Sequence, residues 1–177
     1  MKAVLLSTRP KWCELIASWQ KRAEIRKTKP KLETPFKCYI YCTQDTRLLR
    51  KFNKGERIDD EHFFEEHVFV RQNTWIRGHF NSNGKVIGEF VCDRIDYWNR
   101  HIHDDDTITL EMASELSCVS EDELLKYADL GHFYAWHISD LVIYEKPRPL
   151  SDFRKSGFDR VILLKRPPQS WCYVEEE

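Results

Sequence analysis

The hydrophobic positions near the start of the chain change period more than once. Residues 2–7, KAVLLS, form a short apolar run and predict a buried strand. Pro10 then opens a helix, since proline is tolerated in a first helical turn. Trp12, Leu15, Ile16 and Trp19 recur at i, i+3, i+4 and i+7, so one helical face is apolar, and the helix is expected to end near Trp19 or Gln20. In AEIRK the period drops to two: Ala23 and Ile25 face one way, Glu24 and Arg26 the other, about 6.6 Å apart along a strand. FKCYIYCT repeats that alternation, with Phe36, Cys38, Ile40 and Cys42 on one side.

The pattern then weakens. Residues 44–83 are polar and poorly periodic, and they are expected to form a loop or helical insertion. NSNG at 81–84 signals a turn, after which KVIGEFVCDRIDYW predicts one long strand with a bend or bulge at Gly88. A loop is expected through 101–106. TLEMASEL is weakly helical, and Ser120 with Glu123 forms a capping box that opens the helix EDELLKYAD, with Gly131 closing it. FYAWHISDLVIYE reads as a second long strand. The proline-rich KPRPLSDF is expected to leave the sheet, VILLK to be a short strand, and RPPQSWCYV to pack back on the body. Several strands with few helices suggest an α+β protein built on a small, partly closed mixed barrel. At 177 residues, one domain is expected.

Composition narrows the class. Apolar residues make up 41 % and charged residues 32 %, with a net charge of −1, which suits a soluble globular protein. No apolar run approaches the ~18 residues of a membrane span, and neither end carries a secretory signal, so no membrane association and a cytoplasmic location are expected. The near-neutral total hides an asymmetry. Residues 9–31 hold eight Lys/Arg against Glu14 and Glu24, whereas residues 101–130 hold nine acids against Lys126. The basic stretch suits an anion such as a phosphate backbone, or is a solvated face.

The six cysteines are scattered, with no CxxC pair, and read as reduced, mostly buried thiols. Cys38 and Cys42 share a strand face but would stand about 13 Å apart, too far for one metal. HIHDDD at 101–106 offers alternating donors, but a run of aspartates in a loop reads as solvated. No metal and no cofactor are expected.

Lys21, Glu24 and Arg26 follow directly on the first helix. As a surface cluster they would be worth about 0–1 kcal/mol. As a site, Arg26 offers a fork for phosphate or carboxylate, Glu24 can accept hydrogen bonds or act as a general base, and Lys21 can hold a phosphate or activate water. Ser7, Arg9, Lys11 and Trp12 lie where the first strand meets the helix N-terminus, a place that favours anions. Trp12 reads as core or as a base-stacking ring. Tyr134, Trp136 and His137 are open to the same two readings, and Trp75, Trp98 and Trp171 read as core.

The order strand, RPKW helix, K-x-x-E-x-R strand resembles the ASCH domain family of the PUA-like superfamily. That family's signature is G-x-K-x-x-E-x-R, and Lys21, Glu24 and Arg26 fill its last three places. LLSTRPKWCELI, GKVIGEFVCDRI, YAWHISDLVIYEKPRPLSDF and RPPQSWCYV also resemble that family, so the likeness spans most of the chain. Trp19 stands where the family has glycine, and tryptophan is poorly suited to a positive φ. The resemblance implies a PUA-like β-barrel with flanking helices that binds RNA or a nucleotide-like ligand, in RNA processing or modified-nucleoside recognition. Ser7, Arg9, Lys11, Trp12, Lys21, Glu24, Arg26 and Trp136 would bind that ligand.

An enzymatic alternative is a hydrolase acting on a modified nucleoside or on RNA, with Lys21 and Glu24 as catalytic residues. One ASCH branch resembles amidohydrolases with a threonine nucleophile at the position of Glu24, so that covalent mechanism does not carry over. A ribonuclease would need a metal or an acid/base pair. A third alternative is a protein-interaction module using the acidic 101–130 stretch.

Overall fold

The structure, a computed structural model, describes residues 1–44, 84–102, 107–129, 131–157 and 161–176. The expected insertion at 44–83, with Trp75 and most of the NSNG turn, lies outside them apart from residue 44, and so do Asp104, Asp105 and Asp106. Eight strands and three helices are described: β1 (Lys2–Thr8), α1 (Pro10–Ala17), β2 (Ala23–Arg26), β3 (Phe36–Cys42), β4 (Lys85–Cys92), β5 (Ile95–Asn99), α2 (Leu110–Ser117), α3 (Glu121–Tyr127), β6 (His132–His137), β7 (Ser139–Pro149) and β8 (Trp171–Glu175). A 3-10 turn, Leu150–Asp152, follows β7.

The strands pair into two sheets. One has five strands in the order β7-β4-β3-β1-β8, and the other has three in the order β2-β6-β5. β1 runs parallel to β3, with α1 and β2 in the crossover; the other pairings are antiparallel. The chain is therefore α+β with mixed sheets. Among the described residues no ladder closes these strands into a barrel.

The two long strands expected over 85–98 and 133–145 each change sheet partway. The first breaks between Cys92 and Ile95, the second at Ile138. Val91 pairs with Ser139 before the break and Ile95 with Trp136 after it, so the two strands form one bent antiparallel ribbon shared by both sheets. The amide of His137 donates to the Arg94 carbonyl at the corner (2.9 Å). The side facing the space between the sheets shifts by one residue at each corner, from Phe90 and Cys92 to Ile95 and from Trp136 and Ile138 to Leu141 and Ile143; both segments stay apolar across the shift, so each reads as a single strand.

Other boundaries differ from expectation. The proline-rich stretch does not leave the sheet: Arg148 and Pro149 pair with Val86 and Lys85 after a register shift. Pro149 ends an edge strand, where a missing donor is tolerated. VILLK forms no strand; Leu163 makes a single bridge to Arg154. Helix α1 stops at Ala17, before Trp19. The bulge expected near Gly88 is present, since Ile40 pairs with Gly88 and Tyr41 with Val86, which skips Ile87.

Three apolar layers hold these elements. Val4, Leu6, Cys38, Ile40 and Phe90 face α1 and Trp136 between the sheets. Ala3, Leu5, Tyr39 and Val86 face the opposite way and are covered by Leu150, Phe153 and Leu164. The outer face of the small sheet, through Ala23, Ile25, Phe133 and Ala135, packs on α2 and α3. Ser120 and Glu123 make the expected capping box on α3, and Gly131 lies beyond it at φ 87°. Of the six cysteines, none of them in a disulfide, four are buried.

Candidate functional site

Strand β2 is short, yet all four of its residues are buried. Ala23 and Ile25 face α2 and α3. Glu24 and Arg26 therefore point the other way, into the space between the two sheets, where Glu24 is opposite Trp136 and Arg26 opposite Tyr134. An alternating charged strand ordinarily shows its polar side to water. Here the five-stranded sheet lies over that side, so the exposed ion-pair reading fails.

Lys21 reaches the same space from the turn before β2. Trp19 adopts a left-handed conformation (φ 60°), and the Lys21 amide folds back to the Leu15 carbonyl (2.9 Å). The positive φ expected to suit glycine is thus retained by a tryptophan that is half exposed. The Lys21 side chain is almost fully buried, and its ammonium donates to the Ser117 carbonyl at the end of α2 (2.8 Å). It stands 3.5 Å from Glu24 Oε2, and Arg26 Nη2 lies 2.9 Å from Glu24 Oε1. Arg26 also donates to the Ser7 carbonyl (2.9 Å) and to the carbonyl and hydroxyl of Ser170 (3.3 and 3.2 Å). The guanidinium thereby ties β2 to the end of β1 and to the residue just before β8.

Two buried cations thus share one carboxylate. Burial pushes the Lys21 ammonium below its ordinary 10.5, and the Glu24 carboxylate opposes that fall. Polar satisfaction is incomplete. Among the described residues, Thr8 Oγ1, Glu24 Oε2, Arg26 Nε, Ser117 Oγ and Trp136 Nε1 are buried without a hydrogen-bond partner. All five belong to this neighbourhood: Glu24 and Arg26 themselves, Trp136 opposite Glu24, Ser117 whose carbonyl holds Lys21, and Thr8 next to Ser7. Glu24 Oε2 still faces the Lys21 ammonium at 3.5 Å; the other four cost about 1–3 kcal/mol each, and their concentration around one ion cluster is unusual for a folded interior.

The other candidate residues lie around this cluster in different roles. The Ser7 hydroxyl donates to the Pro168 carbonyl (2.6 Å), while its own carbonyl receives Arg26. Arg9 is the exposed N-cap of α1 and makes no side-chain cap. Trp12 is half-buried, with the ammonium groups of Lys11 and Lys21 over its ring at 4.9 and 5.1 Å. Trp136 is fully buried in the core between the sheets, edge-on to Phe36 and Trp171. His137 faces away from the cluster and contacts Asp96 (2.7 Å) and Arg94 (3.1 Å) at the ribbon corner. Trp98 is core, stacked on Phe133. Thr8, Ser117 and Ser170 gave no signal in the sequence, because their place in the site depends on elements far apart in the chain.

No family model matches the sequence, and no curated protein matches it. Solved structures do match in fold. The ASCH protein of Zymomonas mobilis superposes with a TM-score of 0.52 at 15 % identity, over 98 % of this chain and 88 % of that one. Two of its point variants give TM-scores of 0.51 and 0.56, also at 15 % identity, over 99 and 98 % of this chain and 92 and 89 % of theirs. A strand–helix–strand order carrying K-x-x-E-x-R and this overall superposition agree: the chain has an ASCH-like fold.

Proposed function

We propose that the protein binds RNA or a nucleotide-like ligand through Lys21, Glu24 and Arg26. In this reading it works as one ASCH/PUA-like domain in the cytoplasm, in RNA processing or modified-nucleoside recognition. The observation that carries it is the set of buried polar atoms without a hydrogen-bond partner, Thr8 Oγ1, Arg26 Nε, Ser117 Oγ and Trp136 Nε1, around two buried cations and one carboxylate. A nucleobase edge offers both donors and acceptors, which suits an acceptor on Glu24 and a donor on Trp136, its partner across the ladder. A phosphate suits the planar fork of Arg26. Arg9 and Lys11 at the start of α1 add positive charge at its rim.

The test is a titration of nucleoside monophosphates and single-stranded RNA at two salt concentrations, comparing the protein with Arg26→Lys. That variant keeps the charge but loses the fork. Binding weakened about tenfold in a variant that melts normally supports the reading; no binding of either ligand at millimolar concentration overturns it.

A hydrolase acting on a modified nucleoside or on RNA is the second reading. It is favoured by the burial of the Lys21 ammonium beside Glu24, which pushes that ammonium below its ordinary value and places a carboxylate within reach of it. It predicts turnover of an acylated nucleoside or of single-stranded RNA by the intact protein, and absence of turnover on both substrate classes overturns it.

A further inference from the structure

Arg26 is followed by KTKPK, residues 27–31, with three lysines and no acid before Glu33. This loop is fastened to the body. Trp171 Nε1 donates to Thr28 Oγ1 (3.0 Å), and the Lys31 amide donates to the Tyr173 hydroxyl (2.7 Å). Lys29 and Lys31 therefore project from a held backbone, which lowers the ordering cost of engaging an anion, while the Lys27 ammonium lies over the Tyr127 ring of α3 (5.4 Å). Lys29 Nζ lies 5.6 Å from the centre of the Tyr134 ring.

Tyr134 faces Arg26 across the ladder and packs beside Tyr97 (5.2 Å, 41°). Both rings are partly exposed, on the same sheet face as Glu24 and Arg26. The acidic helices α2 and α3 cover the opposite face of that sheet. The small sheet thus carries its acidic helices on one side and a lysine-topped aromatic surface on the other, and the latter is continuous with the buried cluster.

We infer that the ligand of the buried cluster is a segment of single-stranded RNA, with Lys29 and Lys31 holding its backbone phosphates and Tyr134 and Tyr97 stacking an adjoining base. This rests on the nucleotide reading above. Stacking requires an unpaired base, which excludes a duplex at this surface. Lysines act on phosphate as point charges without base preference, so the surface adds affinity and length dependence and little sequence choice.

The experiment measures affinity for oligouridylates of one, two, four and eight nucleotides, with poly-glutamate as an acidic-peptide control. The variants are Lys29→Ala/Lys31→Ala, both at exposed positions, and Tyr134→Leu, which keeps an apolar side chain. Affinity is expected to rise with length. The lysine variant should lower the slope of log affinity against log salt by about 0.7 for each phosphate it no longer neutralises. Tyr134→Leu should weaken the longer oligomers by roughly 5- to 150-fold and leave uridine monophosphate unchanged. Equal affinity for all lengths, with the variants silent, overturns this inference while the cluster reading stands. Length-dependent binding that ignores Arg26→Lys sinks the cluster reading and keeps the surface. Poly-glutamate binding as tightly as the octamer overturns the inference in favour of an acidic protein partner.

Discussion

Arg26 Nη2 donates to the carbonyl oxygen of Ser7 at 2.9 Å, so a side chain of the three-stranded sheet is bound to the backbone of the five-stranded one. The bond is charge-assisted and largely buried, and such bonds are stronger than neutral ones. The same guanidinium holds Glu24, so the position of the carboxylate depends on the spacing of the two sheets.

Glu24→Gln is expected to destabilise the protein by about 3–5 kcal/mol, because it leaves two buried cations without their counter-charge. Lys21→Met should cost less. It removes a cation whose burial penalty outweighs its attraction to Glu24, and Arg26 remains to pair that carboxylate. Urea denaturation of both variants checks the order, and a Lys21→Met loss equal to or larger than that of Glu24→Gln contradicts it.

Trp19→Gly is expected to destabilise the chain by about 1–2 kcal/mol. A left-handed non-glycine residue costs about 1–2 kcal/mol, and the extra freedom of glycine in the unfolded chain offsets about 0.5–1 of that. Trp19 is 50 % exposed, so its loss uncovers roughly half an indole, worth about 2–3 kcal/mol. A rise in melting temperature would show instead that the strain outweighs the packing.

Gly88→Ala is expected to cost about 3 kcal/mol or more, in the range of overpacked core substitutions. A methyl group there would collide with the Val142 carbonyl oxygen of the neighbouring strand, and backbone cannot swing away as a side chain can. Thermal melting is the check, and an unchanged midpoint would mean that the β4–β7 ladder shifts to make room.

Stability is expected to fall as the pH rises above 9. Burial pushes the thiols of Cys13 and Cys38 well above their ordinary 9.0, and that of Cys92 up to about 12. Their folded values exceed their unfolded ones, so their contribution is complete below pH 9 and is lost as pH rises toward the folded values. Each contributes up to about 1.4 kcal/mol per pH unit in that window. Lys21 acts in the opposite sense, since its folded value lies below 10.5, but it is one group against three. Urea midpoints at pH 8, 9 and 10 test the sign; a flat or rising profile would contradict it.

Where the pattern along the chain is local, it predicts the structure well. The apolar spacing of Trp12, Leu15 and Ile16 places α1, and Ser120 with Glu123 places the start of α3. The resemblance around Lys21, Glu24 and Arg26 agrees with the ASCH-like fold. The burial of these three residues was not legible, because alternation states which side a residue takes but not what covers that side. The corners at Cys92–Ile95 and Ile138 are hidden for another reason: both segments stay apolar across them, which masks the one-residue shift in alternation. The run of VILLK looked like a strand because it is apolar. Leu164 instead buries itself as a single plug beneath the large sheet, and Val161 and Leu163 stay exposed.

The bent ribbon gives this arrangement an economy of its own. The strands that carry Trp136 and Ile95 in the small sheet continue into the large one as β7 and β4. At their corner Asp96 is gripped by Arg94 (3.0 Å) and His137 (2.7 Å). A change at this corner would alter the angle between the sheets, and that angle sets how far Arg26 stands from Ser7 and Ser170. Substitution of Arg94 or Asp96 could therefore widen or narrow the space between the sheets at Lys21, Glu24 and Arg26 while leaving those three residues in place.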